Sequence, residues 1–225
     1  MKSIMEPNKN IEEKNINNTI LKIYGVSPLD LYILFHLKKA NIDYGKSIAS
    51  ILEMPIDIII DELDKLEMMG LIQRHQGSSI KRSEAKFKLA EQVRKHHTYY
   101  KLTKETCLAI RYLTRNYNAM NNYFKNITGY NNILKLLIFL RKAENEHAGT
   151  ISKVLGEDME NTIIILEKLE KLGLVNIVKE KIIKAKHRKA KPKEETRTHH
   201  IYYKITRMAE LILRYSELNS FPKQD

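Results

Sequence analysis

The chain has 225 residues, 43% of them hydrophobic and 29% charged, with 39 Lys and Arg against 27 Asp and Glu for a formal net charge of +12. That length supports one large domain or two of roughly 100 residues, each able to bury a core, and the balance is that of a folded chain rather than a disordered one. The lone Cys107 excludes an internal disulfide framework, eight Gly leave little room for phosphate-cradling loops, and the basic excess favours an anionic partner, nucleic acid before membrane.

In chain order, residues 1–18 read as a flexible polar tail with no signal-peptide core after Lys2, although Ile16, Ile20 and Tyr24 can continue it as an arm helix. Ser27-Pro28 is a helix start, with Ser as N-cap and Pro at the first position. Leu31, Leu34, Phe35 and Leu37 are spaced for one face of that helix. Ser47–Leu52 is a short second helix. A third runs from near Pro55 to Met69, with Ile59, Leu63 and Leu66 inward and Gly70 as its C-terminal cap. Leu71-Ile72 opens a strand, Thr98–Leu102 alternates as its partner, and Thr103 caps the next helix. That helix is expected from about Lys104 to Asn126. Its stripe of Ile110, Leu113, Tyr117, Met120, Phe124 and Ile127 predicts a linker packed across two modules, or alternatively a homodimer seam. The elements then recur: helices at Asn131–Arg141, Thr150–Leu155 and Met159–Leu172, strands from Leu174 and at Ile201–Ile205, and a helix from Thr206. Residues 19–120 and 121–219 are thus two domains, and 220–225 a short tail.

The recurrence is a duplication. HHTYYKLT at 96–103 matches HHIYYKIT at 199–206 in six of eight positions, a shift of 103. The same shift pairs Leu66-Glu67-Met68-Met69-Gly70-Leu71 with Leu169-Glu170-Lys171-Leu172-Gly173-Leu174, and Arg111-Tyr112 with Arg214-Tyr215, without a gap. Compositional bias can repeat one short word. It does not hold one register over many separate segments.

Helix, short helix, helix and hairpin is the winged helix-turn-helix order. The segment from Leu66 to Ile72 and its copy from Leu169 to Val175 resemble the end of a recognition helix in MarR-like regulators. Tyr100-Lys101-Leu102-Thr103 and Tyr203-Lys204-Ile205-Thr206 resemble the return strand of their wing. The Lys-, Ile- and Asn-rich chain with two such modules resembles archaeal tandem winged-helix proteins. The fold implied is mainly α with small β-hairpins (α+β), two tandem winged helix-turn-helix domains. The function implied is double-stranded DNA binding in transcription regulation.

The expected wings hold the charge. The first carries Arg74, Lys81, Arg82, Lys86, Lys88, Arg94 and Lys95 against Glu84 and Glu91; the second carries Lys179, Lys181, Lys184, Lys186, Arg188, Lys189, Lys191, Lys193 and Arg197 against three acids. Segments 73–97 and 179–198 therefore hold +11 of the net +12. Such arms suit phosphate, whose contact is sequence-independent and salt-sensitive; a solvated, edge-guarding loop is the plain alternative. The third helices fit less well. Ile56, Asp57, Ile58, Ile60 and Asp61 in the first, and Met159, Glu160, Ile163 and Ile164 in the second, offer little to base edges. Asn161 and Thr162 remain as the polar candidates for readout.

His96-His97 and His199-His200 have neighbours pointing to opposite strand faces, which suits a structural role better than chelation. Cys107 reads as a core residue. No metal, cofactor or catalytic constellation is expected, so the chain is not read as an enzyme. The expected partner is double-stranded DNA, with the transcription machinery a further possibility, no membrane, and a cytoplasmic setting. The chain is expected either as a monomer with a pseudo-two-fold or as a homodimer through Ile110, Leu113, Tyr117, Met120 and Phe124. A protein-interaction module of the transcription or replication machinery and a structured-RNA binder are the alternatives.

Overall fold

In the computed structural model, which describes residues 6–75, 98–178 and 201–216, the first described element is the arm helix that Ile16, Ile20 and Tyr24 allowed, reaching back over residues expected as a tail. This helix, α1 (Glu6–Tyr24), buries Ile23 and packs Ile20 and Tyr24 against the core. So polar a segment is helical because tertiary packing supplies what local propensity lacks. Next comes α2 (Pro28–Ala40), closed by a capping box: Ser27 Oγ accepts from the Asp30 N–H, and the Asp30 carboxylate accepts from the Ser27 N–H. Then follow β1 (Asp43–Tyr44), α3 (Gly45–Leu52), α4 (Ile56–Met68), β2 (Ile72–Arg74), β3 (Tyr99–Leu102) and α5 (Lys104–Arg115).

The second repeat runs α6 (Tyr117–Thr128), α7 (Ile133–Ala143), β4 (Glu146–His147), α8 (Ala148–Leu155), α9 (Met159–Lys171), β5 (Val175–Val178), β6 (Tyr202–Ile205) and α10 (Arg207–Tyr215). Both ends of α3 and α8, and both ends of α4 and α9, are separated by the 103 residues of the sequence repeat. Backbone exceptions follow the same register. Gly70 and Gly173 have φ of 71° and 68°, and Asn41 and Glu144 both have 66°. The chain is thus mainly helical, with two tandem copies of one element order.

Each repeat has a three-stranded antiparallel sheet, ordered β1-β3-β2 and β4-β6-β5. Ile72 faces Leu102 and Arg74 faces Tyr100 in the first; Val175 faces Ile205 and Val178 faces Tyr202 in the second. The two-residue strands β1 and β4 were not foreseen. They are too short to alternate, and they exist because β3 and β6 have a second edge to pair.

Three expectations are corrected. The helix expected from Lys104 to Asn126 is two, because Asn116 leaves the helical region (φ −116°, ψ 106°) and its Oδ1 accepts from the Ala119 N–H at 3.0 Å, capping α6. Residues 120 and 121, where the domain boundary was expected, lie inside α6. The stripe does not form an outward seam: Ile110, Leu113, Met120 and Phe124 are fully buried within this chain, and Tyr117 is half-buried. Nor is α2 amphipathic. Every residue from Leu31 to Leu37 is buried, since α4, β3, α5 and the second repeat's α10 surround it.

The two repeats share one hydrophobic core running from Ile23 to Leu213. Their packing is unequal. Helix α10 lies along α2, whereas its counterpart α5 lies along α1 and α6. A two-fold axis would set α5 along α7 as α10 lies along α2, so the expected pseudo-two-fold is not the arrangement found. Arg207 Nε donates to the Ile51 carbonyl at 2.6 Å, and Tyr123 Oη to the Val26 carbonyl at 3.2 Å, both across the repeats. Among the described residues no helix is long and apolar enough to cross a membrane.

Candidate nucleic-acid interface

The strand pairs bring together the ends of the two basic segments. The chain leaves the first sheet at His75, whose N–H donates to the Tyr99 carbonyl at 2.8 Å, and re-enters at Thr98. It leaves the second at Val178 and re-enters at Ile201. Lys81, Arg82, Lys86, Lys88, Arg94 and Lys95 lie outside the described residues, as do Lys179, Lys181, Lys184, Lys186, Arg188, Lys189, Lys191, Lys193 and Arg197, and both His pairs.

Of the expected wing cations only Arg74 is placed. Its Nε donates to Glu67 Oε2 at 2.9 Å and its guanidinium meets Asp64 Oδ1 at 3.4 Å. Both carboxylates belong to α4, so Arg74 ties strand to helix and its charge is largely answered within the fold.

The third helices present a surface unlike a base reader. In α9, Thr162 is fully buried and its Oγ1 donates to the Asp158 carbonyl at 2.6 Å, which corrects its assignment to readout. The spacing Thr162, Ile165, Leu166, Leu169 marks it as part of the inward stripe. Asn161 is exposed, but its Nδ2 donates to Asp158 Oδ2 at 3.0 Å and its N–H to Oδ1 at 2.8 Å. Its amide serves the cap of its own helix. Outward sit Met159, Ile163 and Ile164 on α9, and Ile58 on α4.

In both repeats carboxylates of the third helix lie beside a tyrosine of the sheet, offset in the first by Arg74. Burial, then the carboxylates of Glu170 and Glu167, push the Tyr203 hydroxyl above its ordinary pKa. Burial, then Asp64, do the same to Tyr100 at the equivalent position.

One concavity adjoins α9, a groove of about 660 Å³ between that helix, the start of α8 and the second sheet. Its apolar lining includes Met159, Ile163, Ile177 and Ile201, and Glu167, Glu170 and Lys171 stand at it. The signal for it in the sequence is the i, i+4 pair Met159 and Ile163 on the face opposite the inward stripe. His147 also lines it; its Nδ1 accepts from the Thr150 N–H at 3.2 Å, capping α8. Among the described residues no group of His, Cys, Asp or Glu is placed to hold a metal.

No curated protein and no solved structure matches the chain. One family model matches it twice, over residues 21–113 and again over 124–216. The first match ends in α5 and the second begins in α6, so the two fall on the two structural repeats. Together they span most of its length, and the chain belongs to the family described as an uncharacterized protein conserved in archaea (DUF2250).

Proposed function

We propose that this protein is a double-stranded DNA-binding regulator of transcription, made of two winged helix-turn-helix modules that grip phosphate through their basic strand-to-strand segments. The observation that carries the reading is the confinement of +11 of the net +12 to those two segments, each spanning the same strand pair of its repeat. The order helix, short helix, helix, strand pair supports the module assignment. The acidic, apolar third helices argue for backbone-dominated binding, with sequence preference carried elsewhere than in a major-groove helix.

The test is a titration of the full chain with duplex DNA at several salt concentrations. With about six phosphates neutralised, log Kd against log salt has a slope magnitude near 5, taking roughly 0.9 per phosphate. Replacing Lys186, Arg188, Lys189 and Lys191 by Ala weakens preferred and scrambled duplexes alike. A slope near zero, or an unweakened four-alanine variant, removes the reading. Structured RNA in parallel separates shape recognition of RNA from DNA binding.

A second reading has one observation of its own. The apolar groove beside α9, with Met159 and Ile163 exposed and Glu167, Glu170 and Lys171 at its side, suits a protein segment better than a nucleic acid. In that reading the chain is an interaction module of the transcription or replication machinery. The variant M159S/I163S then loses a partner while DNA binding persists.

A further inference from the structure

Five cations outside the two basic segments converge. Lys38 and Lys39 lie in the last turn of α2, Arg111 and Arg115 on α5, and Arg214 in the last turn of α10. These five line one groove of about 490 Å³, with Tyr215 beside them and no carboxylate in the lining among the described residues. Lys38 Nζ donates to Cys107 Sγ at 3.0 Å, and Lys39 Nζ lies 4.9 Å from the centre of the Tyr215 ring. These contacts orient the two ammonium groups. Among the described residues, Lys38, Lys39, Arg111 and Arg214 form no ion pair.

Cations at helix ends ordinarily offset the helix dipole. Three C-termini supply about −1.5 charges in all, at roughly −0.5 each, which leaves most of the four positive charges of Lys38, Lys39, Arg111 and Arg214 unanswered. We infer that this groove binds a small phosphorylated ligand, its di- or triphosphate group held by arginines and lysines from both repeats. The size falls within the ~300–1,000 Å³ of small-ligand sites, and guanidinium forks match phosphate oxygens in pairs. A concave site between three helices suits a compact polyanion better than the convex backbone of a duplex. Arg111 and Arg214 occupy equivalent positions of the repeat, and they reach one groove because α10 packs along α2. The ligand thereby fastens the last helix of the second repeat to the first. The inference stands independently of the DNA reading.

Calorimetric titration of the full chain with inorganic tripolyphosphate tests it. A saturable site is expected, together with a rise in melting temperature. R111Q/R214Q should lose at least about tenfold in affinity, the loss of two or more charge-assisted hydrogen bonds. Both arginines are exposed, so circular dichroism should be unchanged. R111K/R214K, which keeps the charge and loses the forks, should fall between. The four-alanine variant at Lys186, Arg188, Lys189 and Lys191 should bind tripolyphosphate as wild type does. Absence of saturable binding to wild type overturns the proposal, as does equal affinity in R111Q/R214Q. So does a result in which R111Q/R214Q weakens duplex DNA while tripolyphosphate fails to bind wild type, which would make the groove a DNA contact.

Discussion

Asp43 shows how one side chain can serve a repeat without its copy. Its carboxylate accepts from His36 Nε2 at 2.7 Å, Ser47 Oγ at 2.8 Å and the Tyr44 N–H at 2.9 Å. Burial pushes its pKa up, but these donors win and hold it below the ordinary carboxylate value. The second repeat has Phe139, Glu146 and Thr150 at the positions of His36, Asp43 and Ser47; of the three bonds the one from the next backbone N–H recurs, His147 N–H to Glu146 at 3.1 Å. D43N should destabilise the chain by roughly 1–3 kcal/mol at pH 7, the cost of stranding partly buried donors. A carboxylate with a lowered folded pKa stabilises above its unfolded value of about 3.9 and loses that contribution as pH falls below it. Urea melts of D43N and wild type should therefore begin to converge as pH falls below about 4 and meet only below the lowered folded pKa; a gap that does not narrow over that range would refute this account. Thr162 teaches a related lesson. Its residue type suggested polar readout, while its place in the stripe with Ile165, Leu166 and Leu169 already marked it as inward.

At the scale of the element, the ends were legible because capping is local. Ser27, Thr103 and Thr206 each accept from a backbone N–H three residues on, a bond that needs no distant partner. Gly70 and Gly173 end the third helices in the left-handed region, where a Cβ costs about 1–2 kcal/mol. An added Cβ at Gly70 meets open space, whereas at Gly173 it meets Met208 Cε at 3.3 Å. G70A should thus lose only the conformational increment, and G173A that increment plus a small displacement of a flexible side chain. For a chain of this size each kcal/mol lowers the melting temperature by roughly 2–4 °C. Thermal melts should rank wild type above G70A and G70A at or above G173A. A G70A variant as stable as wild type would mean that this turn is not left-handed.

At the scale of the molecule, two similar halves share one buried core. A single core spans both, and α10 crosses to stack Tyr215 on Tyr32 of α2, with ring centroids 6.1 Å apart. Leu34 and Leu137, equivalent and both fully buried, sit in opposite repeats. L34A and L137A should each cost about 2–5 kcal/mol, the usual range for truncating a core leucine. Each should shift one shared unfolding transition, because neither half has a core of its own to retain. Hydrogen exchange checks this directly: L137A should speed exchange of the slowest amides in α2. Two transitions, one holding the wild-type midpoint, would show independent halves.

From the sequence alone come the duplication, its shift of 103, the order of the longer elements and the concentration of charge in two segments. These depend on residue identity and on neighbours within one turn of chain, where capping, glycine and periodicity act. Tertiary structure alone decides how far back α1 extends, the pairing of β1 and β4 onto free strand edges, and the all-round burial of α2. The apolar stripe runs through Asn116 in unbroken 3–4 spacing, so periodicity cannot see a break that rests on one side-chain cap. The convergence of Lys38, Arg111 and Arg214 is equally invisible, since it rests on α10 packing along α2, and burial between elements so far apart in the chain leaves no local pattern.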